Sequence, residues 1–69
     1  MKLSARNRIP AKVVSITQGE AIANVEMDAS GQRIIASITV EAVRELGLAE
    51  GSDVLAVVKA SDVMVAIDD

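Results

Sequence analysis

The 69-residue chain contains no cysteine and no histidine. Without cysteine, disulfides and thiolate metal sites are excluded. Without histidine, the commonest transition-metal ligand and the commonest general base are missing. No usual nucleophile–base pair can be assembled from what remains, so the expectation is a protein that is not an enzyme. Phenylalanine, tyrosine and tryptophan are absent as well. A single-stranded nucleic acid would therefore find no side chain to stack on. The four glycines, at 19, 31, 47 and 51, stand singly, so no phosphate-cradling glycine loop is present. No apolar run approaches the ~20 residues of a membrane-spanning helix. The first residues lack the apolar region and cleavage site of a signal peptide, and a cytoplasmic location is expected.

What is present is aliphatic. Hydrophobic residues make up 51% of the chain, mostly Val, Ile, Ala and Leu. Residues 1–69 form one small domain in this reading. A domain of this size buries only roughly 60% of its unfolded surface. It usually needs disulfides, a metal or oligomerisation. The surplus of aliphatic residues points to the last of these, a homo-oligomer with apolar surface between subunits. The formal net charge is -3. A weakly acidic chain repels polyanions such as nucleic acid and anionic membranes. It does not repel a small anion held by local donors.

The order of elements can be read from periodicity. Ile9, Ala11 and Val13 alternate with Arg8, Pro10 and Lys12, predicting a strand over 7–16. Val14 and Ile16 break the phase, which predicts a bulge or a strand covered on both faces. Pro10 cannot donate to a ladder and belongs at an edge or bulge. Residues 17–20 read as a turn. Ala21 to Asp28 is the cleanest strand, with Ala21, Ala23, Val25 and Met27 on one face and Asn24, Glu26 and Asp28 on the other with Ile22. A turn over 29–32 places Gly31 where a positive φ is needed. A third strand, Arg33 to Ile38, is rich in β-branched residues.

The period then changes. Val40, Val43 and Leu46 share a helical face over 39–46. Thr39 is the candidate N-cap, and Glu41 suits the positive end of the helix dipole. Gly47 is the expected stop, with Leu48 folding back in a Schellman-type cap. After a turn over 49–52, Asp53 to Lys59 forms a fourth strand whose apolar run barely alternates. Both of its faces are expected to be covered. Residues 60–62 form a tight turn, and Val63 to Ile67 a fifth strand. Asp68-Asp69 is a solvated tail, a plainer reading than a cation site. Five short strands and one helix predict a mainly β fold, a small five-stranded Greek-key barrel of the oligonucleotide/oligosaccharide-binding type.

Two short segments carry the chemistry. Ser4-Ala5-Arg6-Asn7 and Lys59-Ala60-Ser61 combine a planar guanidinium, a point charge, two hydroxyls and backbone amides left uncovered by alanine. Such a set suits a small tetrahedral oxyanion, which needs cations and neutral donors to replace its water. The bland alternative is a polar lead-in to a strand and a solvated strand end.

The frame around these segments bears on the choice. Ser4-Ala5-Arg6-Asn7, Ala36-Ser37-Ile38-Thr39, Leu46-Gly47-Leu48 with Gly51, and Val58-Lys59-Ala60-Ser61 with Val63 occur in the order and spacing of the molbindins. The chain resembles these single-Mop-domain molybdate-binding proteins from about Lys2 to Ile67. The same domain occurs in molybdate-responsive regulators and on molybdate transporter ATPases. The resemblance implies molybdate, or tungstate, held at subunit boundaries of a hexamer built as a trimer of dimers. The Ser-x-Arg segment of one subunit meets the Lys-Ala-Ser segment of another. Matched by motif, the implied ligands are Ser4, Arg6, Lys59, Ala60 and Ser61. Thr39 borders the site or caps the helix. The resemblance implies further anion sites near the three-fold axes, where the Gly19 turn is a candidate; the neighbouring Glu20 is unfavourable there unless it points outward. No protein atom enters the coordination sphere of the metal.

Three other readings stay open at this level. Ile38 to Leu48, followed by Gly51, also resembles the swapped-hairpin transcription factors of antitoxin and transition-state-regulator type. Those place the motif near the N-terminus and add a basic face, whereas here it starts after 37 residues of an acidic chain. Single-strand nucleic-acid binding by the barrel lacks aromatic platforms. Within the molbindin reading, the role could be storage, delivery or sensing, and the single domain favours storage or homeostasis.

Overall fold

The computed structural model describes residues 1–68. Four strands and one helix follow in order: β1 (Asn7–Gln18), β2 (Ile22–Ala29), β3 (Gln32–Thr39), α1 (Val40–Leu46) and β4 (Asp53–Val58). The strands form one antiparallel sheet in the order β3-β2-β1-β4. Both β3 and β4 are thus edges. A hollow of about 440 Å³ is lined from both of them, so the sheet curls until its two edges face one space.

Alternation sets which face is inside. Ala23, Val25, Met27 and Ala29 of β2 are buried, while Ile22, Asn24 and Asp28 between them are exposed. Val13, Val40, Val43 and Ala56 complete a small core around them. The outer face of the β2–β3 hairpin carries two polar pairs beside exposed Ile22 and Ile35: Arg33 pairs with Glu26 at 2.6 Å, and the Ser37 hydroxyl donates to Asn24 Oδ1 at 2.6 Å. The hairpin turns at Ser30 and Gly31, both with positive φ (51° and 91°). That is the pattern of a type I′ turn, whose twist matches the flanking strands.

The phase break in β1 is a bulge. Its register against β2 slips between Val13 and Ser15. The Val13 N–H and C=O turn instead to the loop before β4, bonding Ser52 O at 2.9 Å and Gly51 N at 2.8 Å. Pairing with β2 starts only at Lys12, so Pro10 has a neighbour on its β4 side alone. It sits where a missing N–H is tolerated.

Helix α1 begins and ends as its residues dictate. Thr39 is extended and its Oγ1 accepts from Ala42 N at 3.0 Å. The Val40 N–H is tied to Ala21 O at 2.8 Å. At the other end Gly47 takes φ 63°, its N–H bonds Arg44 O, and the Leu48 N–H bonds Val43 O at 3.0 Å. This double closure is the Schellman arrangement, with Leu48 packed against the core.

Four expectations are corrected. The five-stranded barrel is a four-stranded open sheet among the described residues. Residues 63–67 are not a strand: Met64, Val65 and Ile67 are 94%, 91% and 87% exposed, with no ladder partner. A strand is defined by its neighbour, and apolar pattern alone does not supply one. Strand β4 is not covered on both faces within the chain, since Leu55 and Val57 remain exposed. The expected turn at 17–20 is also shorter, because β1 continues to Gln18 and the Gly19 N–H bonds Ile22 O at 2.8 Å. Asp69, half of the expected solvated tail, lies outside the described residues. No helix is long and apolar enough to cross a membrane among the described residues.

Candidate oxyanion site

The pairing of β1 with β4 decides where the two chemistry-bearing segments go. Asn7 pairs with Val58 at the end of that ladder, and the Asn7 side-chain amide donates to Val58 O at 3.2 Å. Ser4 to Arg6 therefore enter, and Lys59 to Ser61 leave, at the same end of the sheet. The chain forms a 3-10 turn at Ala60–Asp62, starting from an extended Lys59. Its closing bonds run from the Asp62 and Val63 N–H groups to Lys59 O and Ala60 O. The N–H groups of Ala60 and Ser61 open the turn and have no backbone partner among the described residues. The first amides of such a turn point outward, toward whatever acceptor is there.

Charge at this end is uncommitted. Lys12 and Arg33 are in ion pairs elsewhere, with Asp53 and Glu26. Neither Arg6 nor Lys59 is in an ion pair among the described residues. Ser4, Arg6, Lys59, Ala60 and Ser61 are all exposed. One subunit thus presents these donors on an open surface without walls. Lys2 and Arg8 add to the positive field, so four of the seven basic residues lie at this end. Sequence reasoning missed these two, and Asn7 as the residue that ties the segments together. The signal for the first two was the clustering of Lys2, Arg6 and Arg8 in eight residues. Asp62 opposes the field from inside the turn.

The other candidate residues lie elsewhere. Thr39 pairs with Ile22 at the far end of β2 and β3, beside the Gly19–Glu20 loop. Strand β1 separates the two ends by 12 residues, roughly 35–40 Å if straight. Within one subunit Thr39 does not approach Ser4 or Lys59. It lines a shallow hollow with Glu20, Glu41 and Arg44. Within one subunit the Glu20 and Glu41 carboxylates there oppose an anion, and the Gly19 N–H is bonded to Ile22 O. No group of three or more His, Cys, Asp or Glu side chains that could hold a metal ion is present among the described residues.

The likeness to known proteins agrees with this architecture. The TOBE domain model matches residues 3–65. Molybdenum-pterin-binding protein 2 of Clostridium pasteurianum is 42% identical over 66 residues, covering 94% of this chain and 97% of that protein. A molybdate-binding protein from Sporomusa ovata superposes with a TM-score of 0.94 at 39% identity, covering 97% of this chain and all of that one. MopII from Clostridium pasteurianum, in an apo form, superposes with a TM-score of 0.89 at 39% identity, over 96% of this chain and all of that one. The single small antiparallel sheet with a capped helix between β3 and β4 is thus a TOBE domain. The chain belongs to its molbindin branch, the Mop family. These matches run the length of the chain and support that reading over the swapped-hairpin alternative.

Proposed function

We propose that the chain binds molybdate without chemical change, and accepts tungstate in the same site. The observation that carries this reading is the joint exit of Ser4–Arg6 and Lys59–Ser61 beside the Asn7–Val58 pair. Hydroxyls, open amides and two cations unpaired among the described residues match the needs of a tetrahedral dianion. The oxyanion is held by hydrogen bonds, with no protein atom entering the metal's coordination sphere. One subunit offers donors but no enclosure. The site is therefore read as completed by another copy, in a homo-oligomer, with the hexamer built as a trimer of dimers as its full form. Thr39 joins the site only across a subunit boundary. The role is storage and homeostasis of the oxyanion in the cytoplasm, with no catalysis and no nucleic-acid partner.

The names of the Clostridium relatives mention a pterin. A pterin ring is flat and aromatic, and such rings bind by stacking on aromatic faces, which this chain lacks. The oxyanion alone is therefore the ligand in this reading. Calorimetry on the native oligomer with molybdate alone tests it. Saturable binding is expected, weakened at least tenfold by Arg6→Ala and by Lys59→Ala, the loss of a charge-assisted hydrogen bond being worth about 1.5–3 kcal/mol. No heat with molybdate, or two variants indistinguishable from the parent, refutes the assignment.

A further inference from the structure

Arg8 pairs with Val57 in the β1–β4 ladder, one step in from the Asn7–Val58 pair. Ala56 is buried while Leu55 and Val57 are exposed, so Val57 and Arg8 stand on the outer face of the sheet. Lys59 is extended (φ -68°, ψ 139°) and follows Val57 by two residues, which returns it to the same face. Arg8 and Lys59 are therefore diagonal neighbours across the ladder, about 7–8 Å apart. One chain fixes this placement. Whichever copy supplies Arg6 to a site, Arg8 arrives with the Lys59 of its own ladder.

The basic residues away from this end each have a carboxylate beside them. Lys12 has Asp53, Arg33 has Glu26, and Arg44 shares a hollow with Glu20 and Glu41. Arg8 is exposed and in no ion pair among the described residues. Strand β4 contains one acid, Asp53, and it is taken up by Lys12 at the other end of the ladder. The charges near the site then decide what Arg8 adds. Arg6 and Lys59 bring two positive charges, and Asp62 in the 3-10 turn takes one away. What remains matches a monoanion. Arg8 restores the second charge, the number that a dianion needs. Lys2 lies beyond the bend at Ser4, outside the ladder.

We infer that Arg8 is a specificity-determining residue of the oxyanion site, selecting dianions over monoanions of the same shape by its charge. The inference rests on the molybdate reading above. Size separates molybdate from sulfate. It does not separate molybdate from perrhenate, which is tetrahedral, nearly as large and singly charged. A unit charge on the order of 8 Å away changes anion binding by roughly twofold or more for each charge on the anion at low salt. A dianion feels that charge twice over, so losing it costs molybdate more than perrhenate.

Calorimetry on the native oligomer at low salt, with molybdate and perrhenate as probes, tests it. Arg8→Lys, Arg8→Gln and Arg8→Glu form a charge series at one exposed position. The preference for molybdate over perrhenate is expected to fall about twofold or more from Lys to Gln, and again from Gln to Glu. Arg8→Lys should stay close to the parent, and the tungstate-to-molybdate ratio should not move in any variant. In about 0.5 M salt the series should converge, because screening then acts within about 5 Å. An Arg8→Gln preference equal to the parent's overturns the inference. So does an Arg8→Lys variant as deficient as Arg8→Gln, since charge would then not be the agent. Should Arg8→Glu change the mass seen by light scattering, the Lys and Gln variants decide. Molybdate binding with an unchanged preference across the series overturns this inference alone; a parent that binds neither probe overturns the molybdate reading with it.

Discussion

Replacing Thr39 separates its two candidate roles. Its hydroxyl accepts from the Ala42 N–H at 3.0 Å, while the Val40 N–H keeps its own partner in Ala21 O. Thr39→Ala thus removes one cap bond and leaves the entry of the helix anchored. Losing an N-cap acceptor costs about 0.5–2 kcal/mol. Thr39 is exposed, so water partly replaces the hydroxyl, and about 1 kcal/mol is expected. For a domain of this size that lowers Tm by roughly 4–8 °C. Thr39 also ends β3, where loss of a β-branch has its own small effect. Thr39→Ser is the control, since it loses the branch and keeps the acceptor. Far-ultraviolet circular dichroism, at one fixed protein concentration, follows the melt; the chain has no aromatic residue for other optical probes. Ala should melt several degrees below Ser. Equal melting of the Ala and Ser variants would refute the cap. Calorimetry on the same variants then reads the second role. A cap alone leaves molybdate affinity within about twofold, while a tenfold loss places Thr39 of a neighbouring copy at the site.

Other outcomes follow from single contacts. Val25, at the centre of β2, is 2% exposed; Val25→Ala should cost about 2 kcal/mol or more in urea unfolding, a large share of the few kcal/mol that a domain this small commands. Gly47 has φ 63° and open space where a Cβ would stand, so Gly47→Ala should cost about 1 kcal/mol from backbone strain alone, and Gly47→Asn less. Lys12 and Asp53 are bridged at 3.1 Å but 60% and 86% exposed, and Lys12→Ala should leave the melting midpoint nearly unmoved. In competition calorimetry tungstate should displace molybdate at similar concentration, and sulfate, being smaller, should require at least about ten times more.

Much of the fold could be read from local pattern because its causes are local. Alternation in 23–27 put β2 in place, the phase slip at Val14 gave the bulge, and Thr39 and Gly47 bounded the helix. Where reading failed, the cause lay far along the chain or outside it. Residues 63–67 have the composition of a strand, but pairing needs an edge, and no edge of this chain receives them. Leu55 and Val57 suggested a strand covered on both sides, and the missing cover is likewise not supplied by the chain. The distance of Thr39 from Ser4 follows from three strand registers, none of them visible in a motif. The candidate site was read as two donor-rich segments, and their assignment to molybdate came from the family resemblance. That both segments leave one ladder end was decided by the Asn7–Val58 pairing.

The amide of Asn7 has one last implication. By gripping the Val58 carbonyl it keeps the strand leading in from Arg6 and the strand leading out to Lys59 from splaying apart. In the site proposed above, the donors that one copy supplies are set in position as its polypeptide folds, before any ligand arrives. Little ordering then remains for the ligand to impose, which favours capture at low concentration.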